Sequence, residues 1–192
     1  MQIKYFKLSH TDALGGRVVR LLAKTRTRAC NRTINLITYD DNGGETFEQV
    51  YCKFPALSYY LIFNVIEETS WPYFLVTNSS PRKEKVFNGP NIGESFVCLG
   101  NFPALYTTRH ERPKNISLEK IVKDTISYFW ESNFARTVYG DEPSEIFTSS
   151  YEFNLTKKLR FMFGHSELVK YDLSPVSQYR ILKELSKYGK LM

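Results

Sequence analysis

The chain has few of the residues that build metal centres and disulfide frameworks. It contains three cysteines, Cys30, Cys52 and Cys98, and three histidines, none with zinc-ligand spacing. An odd number of widely separated cysteines is a poor disulfide framework and suits a reducing compartment. The sequence therefore predicts neither a bound metal nor a cofactor.

Long apolar runs are also missing. The longest, Ala56 to Ile66, is interrupted by Ser58 and Asn64 and is too short to cross a bilayer. The first residues contain no apolar segment of the kind found in secretory leaders. We therefore expect a cytoplasmic protein with no membrane partner. Its 192 residues and ordinary hydrophobic content predict one globular domain, 1–192.

Acidic residues are absent from one stretch near the N-terminus. Between positions 13 and 39 there are six basic side chains and no acidic one, whereas bases and acids are equally numerous elsewhere. The net charge of +6 is therefore a local feature. Apolar residues at helical spacing predict a basic helix over 11–28. Such a charged face can meet a nucleic acid, an acidic protein or only water.

Strand signals follow this basic stretch. Four segments rich in β-branched and aromatic residues predict strands: 33–39, 46–54, 57–66 and 73–77. The first two flank Asn42-Gly43, a strong hairpin turn signal. The sequence therefore predicts an antiparallel meander of about four strands over 33–77.

Two later segments predict helices. Residues 117–134 carry one apolar stripe, with Glu119 in the first turn where it complements the helix dipole. Residues 175–188 follow Ser174-Pro175, an N-cap with proline at the first helical position. The order of elements predicts an α+β fold whose helices pack on one face of the antiparallel sheet.

The irregular segment 79–100 is the candidate active-site segment. It is rich in Pro, Asn, Gly and Lys, and Cys98 stands near its end. A cysteine between apolar neighbours is most often an inert core residue. A nucleophilic thiol instead needs exposure and nearby hydrogen-bond donors, which a loop asparagine such as Asn91 can supply. Both interpretations are open at this point.

Two motifs resemble the ubiquitin-conjugating enzyme family, and in particular a bacterial branch typified by protein B of the PRTRC system. The first runs from Pro90-Asn91-Ile92 to Val97-Cys98-Leu99-Gly100, and the second is Phe129-Trp130-Glu131-Ser132-Asn133-Phe134. The likeness covers roughly residues 73–140. The chain departs from the family pattern at Gly89, where a histidine is usual, and its asparagine-to-cysteine spacing is one residue shorter.

The resemblance implies an acyltransferase of the ubiquitin-conjugating type. Cys98 would carry a ubiquitin-like protein as a thioester, received from an activating enzyme and passed to an amine of a protein substrate. Asn91 would steady the loop or the oxyanion, with Asn88 as the alternative donor. The basic residues Arg17, Arg20 and Lys24 would bind the activating enzyme.

Two other functions are kept as alternatives. The basic cluster and the many aromatic residues also suit a nucleic-acid-binding protein, in which phosphate contacts combine with base stacking. A conjugating-enzyme-like fold without activity would serve as a docking module. A hydrolase pairing Cys98 with His110 has no support beyond the presence of both residues.

Overall fold

The computed structural model describes residues 2–11, 17–40, 42–64, 73–79, 83–98, 117–135, 146–164 and 166–170. Twelve strands and two helices lie in these ranges. The strands are β1 (Lys4–Thr11), β2 (Arg17–Arg26), β3 (Cys30–Tyr39), β4 (Glu45–Phe54), β5 (Leu57–Asn64), β6 (Tyr73–Ser79), β7 (Glu84–Asn88), β8 (Ile92–Gly93), β9 (Phe96–Val97), β10 (Asn133–Ala135), β11 (Thr148–Glu152) and β12 (Ser166–Lys170). The helices are α1 (Leu118–Glu131) and α2 (Leu155–Phe163).

Strand β5 shows that the larger sheet is buried on both faces. Tyr59 and Leu61 lie in one apolar core, whereas Tyr60 and Ile62 lie in a second core. Alternate residues of a strand face opposite sides of a sheet, so the two cores lie on opposite faces. The strand order is β11-β7-β6-β5-β2-β1-β12, antiparallel throughout, and β9 pairs with both β6 and β8.

The first core lies between this sheet, helix α1 and a smaller sheet of order β10-β3-β4. Aromatic rings join the three layers. Phe129 of α1 meets Phe74 of the large sheet at 5.7 Å between centroids, and Trp130 meets Phe54 of the small sheet at 4.7 Å. Trp130 Nε1 also donates a hydrogen bond to the Tyr59 hydroxyl at 3.1 Å. Each ring pair adds about 0.5–1.5 kcal/mol beyond its buried area.

Helix α2 covers the opposite face of the large sheet. Leu159 is buried there together with Leu22 and Leu75, and Leu155 and Met162 pack against them. The two described helices therefore lie on opposite faces of the sheet, and the prediction that the helices pack on one face is wrong for them. The central strands are apolar on both sides, so each face requires cover. The predicted helix over 175–188 lies outside the described residues.

The predicted basic helix over 11–28 is also wrong. Residues Arg17–Arg26 form β2, which pairs along its length with β1 and β5. Leu21 lies in the first core and Leu22 in the second. Neighbouring apolar residues of this kind fit a helical stripe as well as a strand buried on both faces. Pairing with the preceding strand β1 and with the distant strand β5 decides between them.

The predicted β-hairpin is confirmed as β3 and β4. Its turn is closed by Asp40, whose Oδ1 accepts hydrogen bonds from the backbone N–H groups of Asn42 and Gly44 at 2.9 and 2.6 Å. Gly43 has φ 78°, a conformation that glycine adopts at little cost. The predicted strands 57–66 and 73–77 also occur, as β5 and β6. The four strands do not form one meander, because β3 and β4 belong to the small sheet and β5 and β6 to the large one.

The predicted helix over 117–134 is confirmed as α1 over most of its length. Ser117 caps it, with Oγ accepting a hydrogen bond from the Lys120 N–H at 3.1 Å. The helix ends at Glu131 because the next residues turn into β10, which pairs in parallel with β3. Neither described helix has the length and apolarity needed to cross a membrane.

Candidate active site at Cys98

A strained but firmly held hairpin precedes the candidate nucleophile. Strands β8 and β9 are joined by Glu94 and Ser95, which have φ of 48° and 69°, as a two-residue hairpin turn of the primed type requires. Asn91, just before β8, has φ of 60°. Each non-glycine residue in this conformation costs on the order of 1–2 kcal/mol, so surrounding contacts must hold it there.

Ser95 supplies most of those contacts. It is fully buried, its N–H donates to the Phe87 carbonyl at 3.0 Å, and its carbonyl accepts from the Val76 N–H at 2.8 Å. Its Oγ accepts a further hydrogen bond from the Phe87 N–H at 3.0 Å. Beside it, the Glu94 N–H donates to Asn88 Oδ1 at 2.8 Å. The turn is thereby bound to two strands of the large sheet.

Cys98 follows this hairpin directly and is exposed. Its backbone N–H donates to the Asn91 carbonyl at 2.8 Å, so the residue is held at its backbone while its side chain reaches solvent. Cys30 is partly buried and Cys52 is buried. Burial also raises the pKa of the Cys52 thiol. Cys98 is therefore the most exposed of the three cysteines.

Asn91 connects the cysteine segment to the end of helix α1. Its Nδ2 donates to the Asn133 carbonyl at 2.9 Å, immediately after the helix, while its own carbonyl holds Cys98. A side-chain amide has two N–H donors. The geometry thus supports the loop-steadying part of the role predicted for Asn91. The alternative donor, Asn88, instead braces the turn at Glu94.

The departure at Gly89 has a steric cause. A Cβ at this position would overlap the Phe147 ring, lying 2.7 Å from Cε1, and would lie 3.1 Å from the Ile146 carbonyl oxygen. Phe147 cannot move aside easily because it stacks on Phe87 at 5.6 Å, nearly parallel. A histidine here would displace the aromatic core, so this chain requires glycine.

Two of the three basic residues, Arg20 and Lys24, are not presented to solvent as the predicted docking surface requires. Arg20 is only 5% exposed, with its guanidinium 4.3 Å from the Phe163 ring centroid, under helix α2. Lys24 Nζ lies 3.0 Å from Glu84 Oε1, in an ion pair within the sheet. Arg17 is in β2, and its side chain lies outside the described part of the structure. Arg20 is buried because β2 lies inside the sheet, between β5 and β1, and one face of this strand lies under α2.

Glu84 is the centre of a polar cluster that the sequence did not indicate. Besides Lys24, its carboxylate accepts hydrogen bonds from the hydroxyls of Ser58 at 3.2 Å, Thr77 at 3.5 Å and Tyr60. Burial, and then the Glu84 hydrogen bond and charge, raise the pKa of Tyr60. These residues come from four strands, so no local motif could reveal them.

His110 lies outside the described residues, and so does any pairing with Cys98. Within the described ranges, no three His, Cys, Asp or Glu side chains form a group able to hold a metal ion. Comparison with protein-family models, curated proteins and solved structures found no match to this chain.

Proposed function

We propose that the protein carries a ubiquitin-like protein as a thioester on Cys98 and transfers it to an amine. The observation that carries the proposal is the exposure of Cys98 at the end of a hairpin held in a strained conformation by buried hydrogen bonds. A residue that only filled the core would not be exposed, and strained backbone persists where the surrounding structure enforces it.

Two acyl transfers make up the reaction. The Cys98 thiolate attacks the thioester carbonyl that joins the ubiquitin-like protein to its activating enzyme, and the enzyme's thiolate leaves. A substrate amine then attacks the Cys98 thioester, forming an amide, losing a proton to solvent and releasing the Cys98 thiolate. Each step passes through an oxyanion. The Asn91 carbonyl holds the Cys98 N–H and one amide N–H of Asn91 is bonded to the Asn133 carbonyl, so the donor we assign to the oxyanion is the second amide N–H of Asn91.

The surface that binds the activating enzyme then does not depend on Arg20 or Lys24. Arg20 is buried and Lys24 is paired with Glu84, so neither is a freely presented charge. The alternative of nucleic-acid binding loses two of the six bases of its cluster for the same reason, whereas Arg26, Arg28 and Arg32 are exposed. A docking module without activity would share this fold, but its Cys98 would form no thioester.

A thioester probe tests the proposal without the natural partners. Ubiquitin bearing a C-terminal mercaptoethanesulfonate thioester should transfer to the wild type, giving an adduct that a thiol reductant removes. Cys98→Ala should abolish the adduct, whereas the matched variant Cys30→Ala should retain it. Intact mass spectrometry with peptide mapping locates the bond. Acylation of Cys30 in preference to Cys98 would contradict the proposal.

The complete reaction requires the activating enzyme, ATP and the ubiquitin-like protein that serve this chain. With them, Cys98→Ser should convert the reducible adduct to an oxyester that resists thiols, because an oxygen ester is a poorer acyl donor than a thioester. Failure of charging with these components, although the synthetic thioester reacts, would favour the inactive docking module. Strongly salt-dependent binding of DNA or RNA would favour the nucleic-acid alternative.

A further inference from the structure

Strand β4 is an unusually long and regular edge. All ten of its residues pair in unbroken register with β3, from Cys30↔Phe54 to Tyr39↔Glu45. Among the described residues β4 is the last strand of the small sheet. Natural edge strands are commonly shortened, bulged or interrupted by proline, which prevents pairing with other chains. Strand β4 has none of these features.

The outer face of β4 carries aromatic side chains that lie in solvent. Phe47 and Tyr51 are 63% and 69% exposed. The alternating residues Val50, Cys52 and Phe54 are buried in the first core, so the fold already occupies the other face. Large exposed aromatic residues on the last strand of the described sheet mark a surface suited to association.

The outward residues of β4 form a series centred on Gln49 that is complementary to the same series in a second, antiparallel copy. In sequence order they are an acid, an aromatic, an amide, an aromatic and a base: Glu45, Phe47, Gln49, Tyr51 and Lys53. If two copies pair antiparallel with Gln49 opposite Gln49, Phe47 meets Tyr51 of the second copy. Glu45 then meets Lys53 of the second copy, and twofold symmetry repeats each contact.

The charges of Glu45 and Lys53 favour this register over the registers shifted by two residues. Shifting one copy by two residues keeps the same face outward but places Glu45 opposite Tyr51, or Lys53 opposite Phe47. Only the register centred on Gln49 opposes the acid to the base, and opposite charges across a strand pair are favourable. We propose that the protein forms a twofold dimer through β4, which joins the two small sheets into one continuous sheet.

The buried area predicts a weak dimer. Phe and Tyr side chains bury about 150–250 Å² each, so four rings that are two-thirds exposed remove roughly 400–650 Å² from water. With the backbone edge added, the interface reaches at most the lower part of the standard range, roughly 1,200 Å². We therefore expect reversible association that grows as the protein concentration rises from micromolar to millimolar. The proposal does not depend on the chemistry of Cys98.

Charge reversal at the two ends of the series tests the register. Lys53→Glu or Glu45→Lys alone creates two like-charge contacts per dimer and should raise the dimer dissociation constant at least about tenfold. An equimolar mixture of the two single variants should dimerise again, because each heterodimer then has two ion pairs. The double variant Glu45→Lys/Lys53→Glu should likewise restore the wild-type constant. Sedimentation velocity over a concentration series measures the dissociation constant for each single variant, for their mixture and for the double variant.

A matched control is Lys157→Glu, which makes the same charge change at an exposed position of α2 and should leave association unchanged. A second variant, Phe47→Thr/Tyr51→Thr, should abolish the dimer while circular dichroism shows the fold intact, since both rings are exposed. A wild type that stays monomeric throughout the series would overturn the proposal. So would single variants that dimerise as the wild type does, or a mixture of them that stays monomeric.

Discussion

Substitution of Gly89 by alanine should distort the loop that holds Cys98. The added methyl would overlap the Phe147 ring and lie 3.1 Å from the Ile146 carbonyl oxygen. The ring is confined by Phe87, stacked at 5.6 Å, and by Phe134, perpendicular at 5.7 Å. The carbonyl belongs to the backbone, so neither obstacle moves at small cost. The loop must therefore shift away from its native position.

The expected loss of stability follows from this confinement. Forcing one methyl group into a well-packed core costs typically about 1–3 kcal/mol. Because both the ring and a backbone oxygen oppose the methyl of Gly89→Ala, we expect a value near the upper end, about 3 kcal/mol. For a chain of this size that corresponds to a fall in Tm of roughly 6–12 °C.

Urea unfolding followed by fluorescence measures the effect against a close control. Gly93 lies four residues later in the same segment, and a Cβ there would meet no atom within 4 Å. Gly93→Ala should therefore change the unfolding free energy by no more than about 0.5 kcal/mol. In a Phe147→Leu background, Gly89→Ala should cost at least about 1 kcal/mol less than alone. Equal costs at both glycines, or the same cost in both backgrounds, would refute the steric argument.

Three further predictions concern the site and the sheet. Asn91→Ala removes the amide hydrogen bond after α1, so it should lower the unfolding free energy by about 1 kcal/mol and raise the rate of Cys98 alkylation, followed by mass spectrometry. Folding raises the pKa of Tyr60, so the folded state keeps a proton that the unfolded chain releases above about pH 10. Urea titrations should show the unfolding free energy falling above that pH, less steeply in Tyr60→Phe. Arg20→Glu should unfold at lower urea than Lys157→Glu, because Arg20 is buried against Phe163.

The local signals in the sequence were sufficient for the hairpin and the long helix. Asn42-Gly43 between two β-rich runs allows few connections other than a tight turn, and Ser117 followed by an apolar stripe is a helix start. Each of these signals lies within one continuous segment of the sequence.

The sequence alone therefore determined the turn at Gly43 and most of α1, because short-range sterics and apolar periodicity govern such features. Only the tertiary structure decided that Arg17–Arg26 is a strand, since its apolar residues suit either element until β1 and β5 pair with it. Tertiary contacts also buried Arg20 under α2 and brought residues of three other strands, β2, β5 and β6, to Glu84. Side chains distant in sequence make these contacts, and no local pattern encodes which of them will meet.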